Sequence, residues 1–358
     1  MGKEISIIYA NRDRDLKRIQ NSWDSLQAQE SRDFEVIFID YGSDKSLAKA
    51  IENLSSQYQF VNYFHLPVSG LLWNKSKALN YGISKANAEY IFIADVDLIF
   101  HPCTIKYLAN IKKPDSFFLF ELGYLDRNEN FPITFENLKP IRFGQINGML
   151  LVSKTALLEV NGLDEFFHFY GSEDEDLFLR LEHSGLKRDK ATKQFFYHQW
   201  HQSFIASEEK KLTGNPRLTN AMRINQRHYN YHKQHEIIQP QNQASVTSNL
   251  ENLDQDILNS PDISFEIPNI SAYVIHFLEY ELRQSTGKTV KVCFFREPYY
   301  KSKKYKAKMF LGRQSQAYLS MKEINDLILR KIIFEYRHSN YSFKIHKDLN
   351  QIEFSIKL

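Results

Sequence analysis

The first hundred residues alternate short apolar runs with amphipathic stretches. Ile5 to Ala10 is apolar almost throughout and reads as a buried strand. Asp15 to Gln29 places Leu16, Ile19, Trp23 and Leu26 on one helical face. Glu35 to Asp40 predicts a second strand, followed by the turn formers Gly42, Ser43 and Asp44. Leu47 to Ser56 predicts a helix and Phe60 to Leu66 a third strand. Asn74 to Lys85 predicts a helix with Ala78, Leu79 and Ile83 inward, and Tyr90 to Ala94 a fourth strand that stops at Asp95. Strands alternating with helices of this length imply right-handed crossovers and a mostly parallel sheet. Ligands of such sheets sit beyond the carboxyl ends of the strands. Three polar clusters fall there: Asn11 to Arg14, Asp40 to Ser43, and Asp95 to Asp97. They are expected to converge on one cleft.

The pattern is less regular beyond residue 101. Residues 146–153 predict another buried strand, and Asp174 to Ser184 a helix with Leu177, Phe178 and Leu181 inward. Residues 239–260 are rich in Gln, Asn, Ser and Asp and hold no aromatic residue, which predicts a linker or exposed loop. Apolar character then returns, with a helix over Asn269 to Gln284 and strands over Val290 to Phe295 and Ile352 to Ile356. The expected organisation is an α/β domain over 1–236, a linker over 237–260, and a small α+β domain over 261–358.

Composition narrows the class. A hydrophobic content of 42% and an aromatic content of 14% suffice for a packed core and exclude general disorder. The net charge of +3 is close to neutral for 358 residues, so no nucleic-acid partner is expected. The charge is uneven, however. Residues 261–358 carry about +7 and the rest about −4. This asymmetry marks the C-terminal domain as the place for a peripheral membrane or partner-enzyme contact. Cys103 and Cys293 form no closely spaced pair and read as free thiols. No stretch approaches 18 apolar residues, and the first apolar run is too short for a signal peptide. The expected setting is cytoplasmic, at most peripheral at the inner face of the membrane.

Four constellations carry chemistry. Asp95 and Asp97 lie one residue apart just past a buried strand, and two such carboxylates suit a hard cation, Mg²⁺ or Mn²⁺. The plain alternative is an acidic turn. Glu173, Asp174, Glu175 and Asp176 form a second cluster. They read either as dipole-favoured charges at a helix start or as the source of a general base. His198 and His201 flank Gln199 and Trp200, and either complete a metal site or merely hydrogen-bond within an aromatic patch. The fourth set is Arg12, Arg14, Asn74, Lys75 and Lys77, which can reach phosphates, with a solvated helix face as the alternative, above all for Lys77. Asp40 reads either as an acceptor for a base edge or as a turn carboxylate.

These motifs resemble, in order and spacing, those of GT-A glycosyltransferases of the β-1,4-galactosyltransferase type and the related bacterial chondroitin-polymerase-type enzymes. Trp73 to Gly82 resembles the segment before the family's metal-binding strand, and Asp95-Val96-Asp97 its DVD motif. Tyr170 to Asp176 resembles its W-G-x-E-D-D-[DE] segment, and His198 to His201 falls where its last metal ligand lies. The resemblance spans roughly residues 3–205. It implies the GT-A fold, a Rossmann-like mixed sheet, and an inverting transfer from a UDP-sugar assisted by Mn²⁺ or Mg²⁺. Galactose, N-acetylgalactosamine, N-acetylglucosamine and glucuronic acid donors all occur in the family. The acceptor would be a glycan, an oligosaccharide or a lipid-linked sugar.

By the same resemblance Asp97 would be the main metal ligand, with Asp95 on the cation or the ribose. His201 would ligate and His198 would be its partner. Asp174 would be the base and Glu173 would orient the acceptor. Arg12 and Asp40 would hold the nucleotide, and Asn147 and Gly148 would line the donor pocket. Two positions depart from the pattern. Tyr170 stands where the family has Trp, and Tyr41 replaces the second Asp of Asp-Asp-Gly-Ser. The absence of the anchor and disulfides of the secreted members points to a bacterial, cytosolic enzyme. The competing readings are a non-catalytic sugar-nucleotide or glycan-binding subunit, nucleic-acid binding through the Lys301 to Lys308 segment, and a sugar nucleotidyltransferase. The last lacks its Gly-rich phosphate loop here.

Overall fold

The computed structural model describes residues 2–202, 209–241, 243, 250, 256–300, 302–312 and 316–358, without the side chains of 145–147. The chain forms two compact units that interleave along the sequence. The first comprises Met1–Pro67, Trp73–Phe204 and Ile224–Glu251; the second comprises Val68–Leu72, Ile205–Arg223 and Asn252–Leu358.

The first unit is built on a nine-stranded sheet. Its strands are β1 (Ile5–Asn11), β2 (Phe34–Tyr41), β3 (Val61–Leu66), β4 (Tyr90–Ala94), β5 (Leu98–Phe100), β6 (Ser116–Tyr124), β7 (Arg142–Ser153), β8 (Lys187–Lys190) and β9 (Phe196–His198). Helices α1 (Leu16–Gln27), α2 (Lys45–Ser55), α3 (Lys75–Lys85), α4 (Thr104–Ile111), α5 (Lys154–Glu159), α6 (Glu173–His183) and α7 (Ala221–Gln234) accompany it. The path is β3-β2-β1-β4-β7-β6-β9-β5, with β8 on β6. β3, β2, β1 and β4 are mutually parallel, as the βα alternation implies. β7 then runs antiparallel to β4 and to β6, so the sheet is mixed.

β1, β2 and β4 are buried along nearly their whole length, which is why they read as continuous apolar runs. α1 starts on Asp15, whose carboxylate accepts the Arg18 N–H at 3.0 Å. It packs Ile19, Trp23 and Leu26 against Tyr9 and Phe38 in one core. Asn11 pairs in register with Asp40, and Tyr9 with Ala94. The three polar segments therefore leave the sheet side by side.

The second unit holds a four-stranded sheet in the order β10-β11-β13-β12. Its strands are β10 (Ile263–Pro268), β11 (Thr289–Phe295), β12 (Tyr341–Ile345) and β13 (Gln351–Lys357). Helix α8 (Ser271–His276) continues through a π-helical stretch, Phe277–Glu281, into α9 (Leu282–Gln284). α10 (Lys303–Phe310) and α11 (Met321–Lys331) follow. Val274, Phe277, Leu282, Ile328 and Phe294 are fully buried. Both cysteines are free thiols. Among the described residues, no helix is long and apolar enough to cross a membrane.

Candidate active site

Asp97 and the two histidines meet through strand pairing. β5 begins one residue after Asp97 and pairs antiparallel with β9, Leu98 opposite His198. The Gln199 N–H then donates to the Asp97 carbonyl at 3.0 Å. The Gln199 amide is locked onto α1, accepting from Asn21 Nδ2 at 2.8 Å and donating to the Arg18 carbonyl at 2.9 Å. His201 Nε2 lies 3.2 Å from Asp97 Oδ2, and His198 Nε2 lies 3.6 Å from Asp97 Oδ1. Potential ligand atoms of all three residues lie within 4.8 Å of one another.

Two observations suit this group to a cation. His201 Nδ1 faces the Gln202 carbonyl at 2.9 Å, and a carbonyl only accepts, so Nδ1 carries the proton. Its Nε2 then turns a lone pair toward a carboxylate oxygen, a repulsive pairing unless a cation or a second proton lies between. Asp97 Oδ1 is moreover buried without a hydrogen-bond partner. One carboxylate and two imidazoles suit Mn²⁺ better than Mg²⁺. Burial pushes the Asp97 carboxyl up, but the His201 hydrogen bond and the charges of His198, His201 and Arg14 hold it below its ordinary value. The hydrogen bond to Asp97 raises His201, whereas burial lowers His198.

Asp95 belongs to a second cluster. Lys75, just inside the start of α3, lies 3.3 Å from Asp95 Oδ1, 3.6 Å from Asp174 Oδ1 and 3.9 Å from Glu173 Oε1. Asn74 caps that helix, accepting from the Lys77 N–H at 2.8 Å and donating to the Glu165 carbonyl at 2.8 Å. On the other side, a Cβ at Gly148 would lie 2.7 Å from Asp95 Oδ2, so β7 passes close against the Asp95 carboxylate. Asn147, beside it, has its backbone in β7, and its side chain lies outside the described residues.

The approach to α6 is unusual. Phe169, Gly171 and Ser172 all have positive φ (66°, 99° and 71°), a conformation that costs energy for the two non-glycine residues. Asn225 of α7 steadies the turn, donating to the carbonyls of His168 at 3.0 Å and Tyr170 at 3.2 Å. The turn delivers Glu173 and Asp174 to Lys75 at the helix N-terminus. One ammonium among three carboxylates leaves the cluster short of positive charge. Burial, opposed by Lys75 and reinforced by the charges of Glu173 and Asp95, pushes the Asp174 carboxyl up to about 8. Lys75 is held in its charged form by the same three carboxylates against the effect of its burial. Tyr170 is half exposed beside this cluster. Burial and then the charges of Glu173, Asp174 and Asp95 raise its phenol, with Lys75 opposing.

The remaining candidates sit as follows. The Arg12 guanidinium lies over the rings of Tyr41 (4.9 Å) and Trp73 (5.9 Å), and its Nε donates to the Tyr41 carbonyl. Asp40 is fully buried. Its Oδ1 accepts the Ser43 N–H at 3.1 Å and its Oδ2 accepts the Tyr63 hydroxyl at 2.8 Å. Lys77 is buried rather than on a solvated face, because both sides of α3 are covered.

Sequence reasoning missed a layer behind the site. Asp176, fully buried, bonds Arg180 Nε at 2.7 Å and His232 Nδ1 at 2.7 Å. Asp164 accepts His228 Nε2 at 2.7 Å and the Phe166 N–H at 2.8 Å. Asp164, His228 and His232 have ligand-like spacing. Asp176 is engaged on both oxygens, by Arg180 and His232, and Asp164 is held by His228 and the Phe166 N–H, so this is a buried hydrogen-bonded network. The signal in the sequence was His228 and His232, four apart on a helix, but their acidic partners are far away in the chain.

Residues 5–134 match Glycosyl transferase family 2, and residues 139–202 match the N-terminal domain of galactosyltransferase. With the mixed sheet described above, these consecutive matches give residues 5–202 the character of a glycosyltransferase domain with a GT-A-like fold. Similar solved structures include S. aureus TarS 1-349 in complex with UDP, 16% identical over 55% of this chain and 60% of that one, TM-score 0.43. Another is GalNAc-T7 with UDP, GalNAc and Mn²⁺, 14% identical over 56% of this chain and 44% of that one, TM-score 0.45. The chain thus spans less than two thirds of either structure's length. No curated protein matches the chain.

Proposed function

We propose that this glycosyltransferase moves a hexose-type sugar from a UDP-sugar to a hydroxyl of a glycan, an oligosaccharide or a lipid-linked acceptor, with inversion at the anomeric carbon. The observation that carries this reading is Lys75, which joins Asp95 to Asp174 and so brings the two acidic motifs into one cluster. Asp174 takes the acceptor hydroxyl proton as that oxygen attacks the anomeric carbon, and the bond from that carbon to the diphosphate breaks. A raised proton affinity suits this role near neutral pH. Glu173 accepts a hydrogen bond from the acceptor and orients it. Tyr170 offers an exposed ring on which a sugar face can rest.

Asp97, His201 and His198 would hold Mn²⁺ or Mg²⁺, with Asp95 at its edge. When bound, the ion supplies Lewis-acid neutralisation of the diphosphate leaving group. Arg12 and Lys75 add cationic contacts for the phosphates, and Gly148 and Asn147 border the sugar. Asp40, already engaged on both oxygens, supports the nucleotide side by fixing the turn that follows β2.

A screen of UDP-sugars with Mn²⁺, read as UDP release with and without acceptors, tests this reading. Transfer that stops on chelation and returns with Mn²⁺ is expected. Full turnover in the presence of excess chelator would overturn the metal assignment. Binding of every UDP-sugar without hydrolysis or transfer would overturn the catalytic one.

A further inference from the structure

The second unit carries a surface that glycosyl transfer does not use. From Pro298 to Lys322 the chain contains no acidic residue. Helix α10 lies within this stretch and buries none of its residues. It is attached through Tyr305, whose ring packs edge-on at 5.6 Å against Tyr300 and 5.6 Å against Tyr318. Lys303, Lys304 and Lys306 are exposed and Lys308 is half-buried. The helix ends in three consecutive large apolar residues that face solvent: Met309 is 53%, Phe310 91% and Leu311 63% exposed. Isolated exposed apolar residues are ordinary, but a contiguous apolar tip on a lysine-rich helix is not.

We infer that α10 and its tip form a docking element for an anionic lipid bilayer, with the lysines at the headgroups and Met309, Phe310 and Leu311 inserted at the acyl boundary. The charge pattern selects the occupant. Lysines in a stretch with no acids of its own attract any polyanion, but a nucleic acid in water gives Met309 and Leu311 nothing to bury them, whereas a bilayer does. Interfacial helices combine these same two features, a basic face and large apolar side chains. The inference concerns a different unit from the transfer chemistry and stands or falls separately from it.

The test is co-sedimentation of the full chain with vesicles of phosphatidylcholine alone and of phosphatidylcholine mixed with phosphatidylglycerol. The wild type is expected to partition onto the mixed vesicles only. Replacing Lys303, Lys304, Lys306 and Lys308 with Gln is expected to weaken binding roughly fivefold per lysine. Phe310→Ser is expected to weaken it roughly tenfold and to leave its salt sensitivity unchanged. Because α10 buries nothing, both variants keep the wild-type melting temperature and the wild-type rate on a soluble acceptor. Equal partition onto neutral and anionic vesicles, undiminished binding by both variants, or binding to RNA but to neither vesicle would overturn the inference.

Discussion

The backbone N–H of Gln199 donates to the carbonyl of Asp97 across 3.0 Å. This bond fixes the separation between the acidic segment and the histidines that flank Gln199. Its side chain is anchored to α1 by Asn21 and the Arg18 carbonyl. Gln199→Ala removes the anchor and leaves the buried Asn21 amide unpaired, at a cost of about 1–3 kcal/mol. Supporting groups of this kind change metal affinity by roughly 10- to 100-fold. The Mn²⁺ concentration for half-maximal activity should rise by a factor in that range. An unchanged metal titration would show that Gln199 does not position the histidines.

Asp174→Asn should lower turnover by roughly a hundred- to ten-thousand-fold, the usual contribution of a general base. Donor binding should survive, because the substitution keeps the shape of the side chain and removes only its proton affinity. Calorimetry of UDP-sugar binding alongside single-turnover rates separates the two. A rate within a few-fold of wild type would move the base elsewhere in the acidic cluster, with Glu173 the first candidate.

Lys75 makes a prediction about pH. Burial and the charges of Glu173 and Asp95 push the Asp174 carboxyl up to about 8, and Lys75 is the group that pulls it down. A base works deprotonated, so kcat/KM should rise with pH through a value well above the ordinary carboxylate range. Lys75→Met removes the opposing charge, so the rise should move to still higher pH. The pH profile of kcat/KM for both proteins checks the sign. A shift toward acid in Lys75→Met would contradict the assignment.

Much of this arrangement was legible in the sequence, and the part that was not has a physical explanation. β1, β2 and β4 are covered on both faces, so their apolar runs are unbroken and easily read. Their shared direction follows from the helices between them. The far side of the sheet, β7, β6, β9 and β5, mixes antiparallel and parallel pairs and joins through irregular connections that leave no period to follow. α7 is polar along most of its length, and what its Arg223 to Gln234 stretch buries is Asn225 and His232. A hydrophobic pattern cannot reveal a helix that packs through hydrogen bonds. Asp95 and Asp97 look equivalent as a motif. They part company because a turn separates them: Asp95 is 40% exposed beside Lys75, and Asp97 is 5% exposed beside the histidines.

The final prediction concerns the network behind the acidic turn. Arg180 and Asp176 are fully buried, with Nε 2.7 Å from Oδ2. Arg180 Nη1 also donates to the carbonyls of Val160 at 2.9 Å and Gly162 at 2.8 Å. Arg180→Met fits the apolar volume but leaves a buried carboxylate facing only His232, and two carbonyls without that donor. Breaking one side of a buried pair typically costs about 3–5 kcal/mol. Arg180→Lys should recover little of it, because a point charge cannot reach the carboxylate and both carbonyls at once. Replacing both partners, Asp176→Leu with Arg180→Met, should be less damaging than Arg180→Met alone, since no charge is then stranded. Urea unfolding of the three variants ranks them. If the double variant proves the least stable, the pair stabilises the fold through more than the avoidance of an unpaired charge.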